Sequence, residues 1–185
     1  MTLLLKKILS QMKDICKPQK NFVQLLFEAM LASHGKLNYR NLSRYSKMSE
    51  RAISRNYRKE FNFLRFNELL IEEAGFDARR CVAVFDPSFI KKSGKKTDGL
   101  GKFWNGSNSR AERGLEIGCL AIVDVETKQS LTVAAKQTEP IATKDENRVD
   151  CYIRQIVESV SYIQKRVQHL VVDGFFYTVD SLMQS

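Results

Sequence analysis

The chain has 185 residues, 43% hydrophobic and 28% charged, which is the balance of a folded globular protein and excludes extended disorder. That length suits one ordinary domain plus a small helical one. A net charge of +9 points to a polyanionic partner, either nucleic acid or an anionic membrane surface.

The positive excess sits at the front: residues 1 to 79 carry 15 Lys or Arg against 8 Asp or Glu, whereas residues 80 to 185 carry 15 against 13. The opening MTLLLKKILSQMKDIC has few apolar residues before Lys6 and Lys7 and reads as a short amphipathic helix. No apolar stretch approaches the roughly 18 residues needed to cross a bilayer, so the chain reads as soluble with no membrane partner, a helical adaptor whose basic face binds protein or an anionic membrane being a third reading. Cys16, Cys81, Cys119 and Cys151 lie far apart, without C-x-x-C spacing and away from His34 and His169, which argues against zinc. Cys81 and Cys119 fall in apolar runs and are expected as buried reduced thiols, in keeping with a cytoplasmic protein.

Between residues 18 and 73 apolar residues recur at helical spacing, as Phe22, Leu25, Leu26, Ala29 and Met30, then Leu37, Leu42 and Tyr45, then Ile53, Tyr57, Phe61 and Leu64. This predicts an all-α domain over residues 1–78. Within it KLNYRNLSRYSKMSERAISRNYRKEF has the layout of a helix-turn-helix: a helix from about Tyr39 to Tyr45, a turn at Ser46 to Met48, and a second helix capped by Ser49 and running to about Phe61. Ala52, Ile53, Tyr57 and Phe61 would face inward, leaving Arg51, Ser54, Arg55, Arg58 and Lys59 outward. Arg and Ser near the start of such a helix reach base edges or phosphates in a major groove, and Lys59 would touch the backbone. A small helical bundle with a solvated basic face fits the same pattern.

From Arg80 the pattern changes to short apolar runs, CVAVF at 81–85, LEIGCLAIV at 115–123, SLTVAA at 130–135 and HLVVD at 169–173, which predicts an α/β domain over residues 79–185. The boundary is expected near Gly75 to Arg79, where EEAGFDARR combines a glycine stop with charges. One amphipathic helix is predicted by the stripe Val149, Ile153, Ile156, Val157, Val160 and Ile163, with Asp145 and Glu146 at its start and Lys165 and Arg166 at its end. The order is then strand, long basic loop, two-stranded hairpin, helix, strand, and a further helix beginning at Phe175 to Met183. The first four strands and first helix of an RNase H-like mixed sheet follow that order.

CVAVFDPSF and HLVVDGFF read as central strands buried on both faces, ending at Asp86 and Asp173. If the two strands are parallel neighbours, the carboxylates face each other. Two such charges repel unless a divalent cation neutralises them, and Mg²⁺, with Mn²⁺ as the alternative, is the natural ligand. Metal ions so placed support phosphoryl transfer. Asp before Pro or Gly is also common turn chemistry, so each aspartate has a plain structural reading. The segment between, IKKSGKKTDGLGKFWNGSNSRAERG, carries seven Lys or Arg against Asp98 and Glu112. Its Lys91, Lys92, Lys95, Lys96 and Lys102 suit a phosphate backbone, and Phe103 or Trp104 suits an unpaired base. An ordinary solvated loop is the alternative.

The strings VFDPSFIKKSGKKTDGLGKFWNGSNSR, LAIVDVETKQSLTVAAKQT and HLVVDGFFY resemble the catalytic domain of DDE transposases of bacterial insertion sequences, over roughly residues 80 to 180. The resemblance implies that Asp86 and Asp173 are the first two catalytic, Mg²⁺-binding carboxylates and that the Lys91 to Lys102 loop lies near the DNA. It implies double-stranded transposon ends as partner, with metal-dependent cleavage and strand transfer as activity. The family's glutamate belongs to a helix well downstream of the second aspartate, whereas here twelve residues follow Asp173. Glu158, on the preceding helix, does not replace it. The expectation is therefore an incomplete RNase H-like sheet. The alternative is a non-catalytic DNA-binding remnant that occupies transposon ends or pairs with and inhibits a full-length transposase; a homodimer is the other protein partner considered.

Overall fold

A computed structural model describes residues 2–94, 97–141 and 147–173. By its internal contacts the chain divides into two compact units, Met1–Leu70 and Ile71–Ser185.

The first unit is helical: α1 Thr2–Gln11, α2 Lys17–Ala32, α3 Tyr39–Arg44, α4 Glu50–Tyr57 and α5 Phe63–Ala74, the last of which runs on across the division. Each start has a local cause. Pro18 stands in the first turn of α2, where its missing N–H is no loss. The Asn38 side chain accepts from the Asn41 N–H at 2.8 Å to cap α3, and Ser49 accepts from the Ala52 N–H at 3.3 Å to cap α4. Gly75, in the left-handed conformation (φ 66), follows the end of α5 where the sequence places a glycine stop. Ile8, Met12, Phe22, Leu26, Leu42, Ile53 and Phe66 form one core. Replacing Ser49 with Ala should lower the stability of this unit by about 1 kcal/mol, read by urea denaturation; an unchanged midpoint would show that the cap contributes nothing.

In one respect the helices depart from expectation. α4 ends at Tyr57, not near Phe61. The Asn56 side chain donates back to the Ala52 carbonyl, and the Lys59 N–H bonds to the Asn56 carbonyl, which tightens and stops the helix. Tyr57, expected inward, is exposed and packs its ring on Tyr39 at 5.7 Å. Phe61 instead joins Phe63 and Phe66 in an aromatic cluster.

The second unit is mixed α/β. Its five strands are β1 Cys81–Lys91, β2 Gly101–Asn105, β3 Arg110–Asp124, β4 Ser130–Gln137 and β5 Leu170–Val172, with helices α6 Arg148–Val157 and α7 Val160–Ile163 before β5. β3 pairs antiparallel with β1 from Cys81↔Asp124 to Lys91↔Gly114, and also with β2 and β4. β5 lies parallel to β1 from Ala83↔Leu170 to Phe85↔Val172. The sheet is therefore mixed, in the order β2-β3-β1-β5 with β4 also on β3.

α6 covers one face. Asn147 and Asp150 form a reciprocal capping box at its start, and the Phe85 and Tyr152 rings meet at 5.7 Å. At Gly118 an added Cβ would come within 2.1 Å of Gln155 Oε1 and 2.7 Å of the Phe85 ring, so the glycine lets α6 approach β3. Only that face is fully covered among the described residues. Cys81, Ala83 and Phe85 are buried while Val82 and Val84 are half-buried, so β1 alternates where a strand buried on both faces was expected. β5 likewise leaves Leu170 and Val171 exposed.

The predicted long helix is interrupted at Glu158 and Ser159, giving α6 and α7. Ser159 is fully buried, Glu158 is drawn to Lys136 of β4, and Val157 is left exposed. The four cysteines are free; Cys81 is buried as expected and Cys119 is half-buried. Asp145 and Glu146, and the helix expected from Phe175 to Met183, lie outside the described residues. Among the described residues no helix is long and apolar enough to cross a membrane.

Candidate nucleic-acid interface and carboxylate pair

Two surfaces of the first unit differ in charge. On α4 the side chains of Arg51, Ser54, Arg55 and Arg58, with Tyr39, Ser49 and Glu50, line a broad open cleft of about 790 Å³. The three arginines are exposed and have no ion-pair partner among the described residues. Lys59 is separated from them. Because α4 stops at Tyr57, this lysine leaves the helix and lines a small apolar cavity with Phe22, Phe61 and Phe63.

In the second unit, the register of β1 and β5 decides what the aspartates do. Phe85 stands opposite Val172, and one step further along each chain come Asp86 and Asp173. Parallel neighbours lie about 4.8 Å apart, so the two residues occupy adjacent positions just past the last parallel pair of β1 and β5. Both are exposed, and Asp86 accepts a hydrogen bond from the Ser88 hydroxyl at 3.2 Å. Asp86 is not at the tip of its strand, as the sequence suggested: β1 continues with β3 to Lys91. It stands at the end of the parallel segment instead.

Pro87 supplies a local reason. The Ala83 N–H points to β5, bonding the His169 carbonyl at 2.9 Å, and by strand alternation so do positions 85 and 87. Pro87 has no N–H to leave orphaned on that side, so β1 and β5 part there without an unsatisfied amide. Two exposed carboxylates at such a parting fit the donor set that Mg²⁺ takes, one or two carboxylates with water and substrate phosphate completing the shell. Among the described residues no group of three or more His, Cys, Asp or Glu gathers into a metal site.

The basic segment after β1 is ordered strand for much of its length, because β3 begins at Arg110 and folds back on β2. Lys91 and Lys92 line an open cleft with Arg110 and Arg113, and Lys102 pairs across to Arg113. Lys95 and Lys96 lie outside the described residues. Trp104 is 62% exposed. Phe103, the alternative stacking residue, is ruled out by position: it is buried, with the Arg148 guanidinium 4.6 Å from its ring centre. Arg110 and Arg113 were not singled out from the sequence; their signal was the alternation with Lys102 that only strand pairing makes visible.

Glu112 holds the turn between β2 and β3. Its carboxylate accepts from Asn105 Nδ2 at 2.9 Å, Asn108 Nδ2 at 3.0 Å and Arg110 Nε at 2.6 Å. Those donors, Asn105 first and Arg110 next, hold its pKa down to about 2. A carboxylate with a depressed folded-state pKa stabilises at pH above its unfolded value, and that contribution is lost as pH falls toward 2. Trp104, the sole tryptophan, sits one residue before this turn, so its emission should change in acid below the ordinary carboxylate range. In Glu112→Gln that acid transition should be absent; a transition of the same size there would refute the assignment.

On the α6 face the buried Glu116 accepts from the Tyr152 hydroxyl at 3.0 Å; burial first, then this carboxylate, pushes the phenol pKa up. The pair fastens α6 to the sheet, on the opposite face from Asp86.

No protein-family model matches the chain, and a comparison with curated proteins finds no match.

Proposed function

We propose that this chain is a DDE-transposase-like DNA-binding protein of the cytoplasm, in which α3 and α4 act as a helix-turn-helix on duplex transposon ends. In this reading the second unit is an RNase H-like domain whose Asp86 and Asp173 hold Mg²⁺ or Mn²⁺ against a phosphodiester. The observation that carries it is the parallel pairing of β1 and β5, in a register that makes the two aspartates neighbours. The strand, hairpin, helix, strand order around that pair, and the unpaired arginines of α4, are consistent with it. When bound, the metal would activate an attacking oxygen and stabilise the leaving one. The chain's own part is to hold the ion at the parting of β1 and β5 and to fix the DNA by its cations.

The test is duplex binding and Mg²⁺- or Mn²⁺-dependent nicking by the purified chain, beside Asp86→Ala and Asp173→Ala. Nicking lost in both variants supports an active carboxylate pair. Binding that weakens steeply with salt, without nicking, supports the second reading: a DNA-binding protein that occupies transposon ends or associates with a full-length transposase. Affinity insensitive to salt would overturn both.

A further inference from the structure

The face of the sheet that bears Asp86 continues, without an acidic residue, to the β2–β3 hairpin. Asp86 stands opposite Cys119, and directly paired residues share a face. Two-residue steps along β3 from Cys119 pass Ile117 and Leu115 to Arg113 and Ala111. Their partners on β2 are Lys102, opposite Arg113, and Trp104, opposite Ala111. On β1 the same face presents Ser88 and Ile90. Burial agrees: Gly114, Glu116, Gly118 and Leu120 are buried on the other face, whereas Arg113, Ala111, Lys102 and Trp104 are exposed on this one. At about 3.4 Å per residue, Arg113 lies roughly 20 Å from Cys119 and Ala111 roughly 27 Å.

Three properties make this end a ready surface. Lys102 and Arg113 have no ion-pair partner among the described residues. Trp104 faces Ala111, a side chain too small to cover an indole, so its ring remains 62% exposed. Glu112, from the opposite face, pins Asn105, Asn108 and Arg110, so the hairpin is held in one shape before any ligand arrives. Paired cations beside an uncovered aromatic ring match a phosphate backbone with an accessible base face, and a base offers its face only when unpaired.

We propose that the β2–β3 hairpin holds a single-stranded extension of DNA, with Lys102 and Arg113 on its phosphates and Trp104 stacked on an unpaired base. This rests on the DNA-binding reading above and adds a substrate class to it. The span from Asp86 to Arg113 matches about six base pairs of duplex rise, so the extension would begin that far from the carboxylates.

Trp104 is the only tryptophan in the chain, so its fluorescence reports this contact alone. The experiment titrates the whole chain with a labelled blunt duplex and with the same duplex bearing a short thymidine extension, following both label anisotropy and tryptophan emission. The extension should quench the emission and tighten binding about tenfold, within the range expected of one stacked base. Trp104→Ala should lose that gain, Trp104→Phe should keep most of it, and all should bind the blunt duplex alike. Lys102→Ala with Arg113→Ala should lower the magnitude of the salt slope for the extended DNA by about 1.4, at about 0.7 for each single-strand phosphate contact. Equal affinity for blunt and extended duplex, with unchanged emission, would overturn the hairpin assignment and leave DNA binding standing. An RNA extension bound more tightly would overturn the choice of DNA. No anisotropy change with any DNA would sink the underlying reading itself.

Discussion

Asp86→Asn should remove the response of this chain to Mn²⁺ while leaving the fold intact. Asparagine keeps the shape of the side chain and an oxygen for the Ser88 hydroxyl, and changes only the charge. Altering a group that merely orients a metal ligand costs 10 to 100-fold in affinity, so loss of a ligand should cost at least about a hundredfold. Without a cation Asp86→Asn should melt where the parent does, because the side chain is exposed, whereas in Mn²⁺ it should melt below the parent, and Asp173→Asn should behave the same way. Thermal unfolding with and without Mn²⁺, and a Mn²⁺ titration followed by its paramagnetic signal, read both effects. A variant that binds Mn²⁺ like the parent would rule the pair out as ligands.

Replacing Arg51, Arg55 and Arg58 together with alanine should weaken duplex binding several hundred-fold at 0.1 M salt. Each phosphate contact contributes about 0.9 of a decade for each tenfold change in salt, and three contacts compound. The slope of log affinity against log salt should fall in magnitude by about three, a change that misfolding would not produce. Since the three side chains are exposed and line an open cleft, the substitutions should leave the unfolding midpoint nearly where it was. Lys59→Ala is the internal control. It is exposed but does not line the arginine cleft, so its removal should change binding little. Equal losses from Lys59 and from the arginines would mean that net charge, and not the cleft on α4, attracts the DNA.

How legible the site was depended on whether a feature is local. Ser49 as a cap and the stop at Gly75 were readable because each acts on backbone within a few residues. The end of α4 was not. Tyr57 and Phe61 keep helical spacing, but Phe61 finds better burial against Phe63 and Phe66, a tertiary preference that periodicity does not register. The helix after β4 failed in the same way, since burial of Ser159 and the pairing of Glu158 with Lys136 break a stripe that continues unbroken in sequence.

The sequence by itself determined the local vocabulary of this protein: a basic helical front, a strand-rich remainder, the caps, and two aspartates each closing an apolar run. Tertiary structure decided how those words are joined. It put β5 parallel to β1 in the register that makes Asp86 and Asp173 neighbours, carried β1 past Asp86, and turned a basic loop into β2 and the start of β3. It also chose Trp104 over Phe103 as the exposed ring. The reason is that helices and caps form from contacts within one or two turns, whereas strand partners, register and the covered face are set by residues dozens of positions apart.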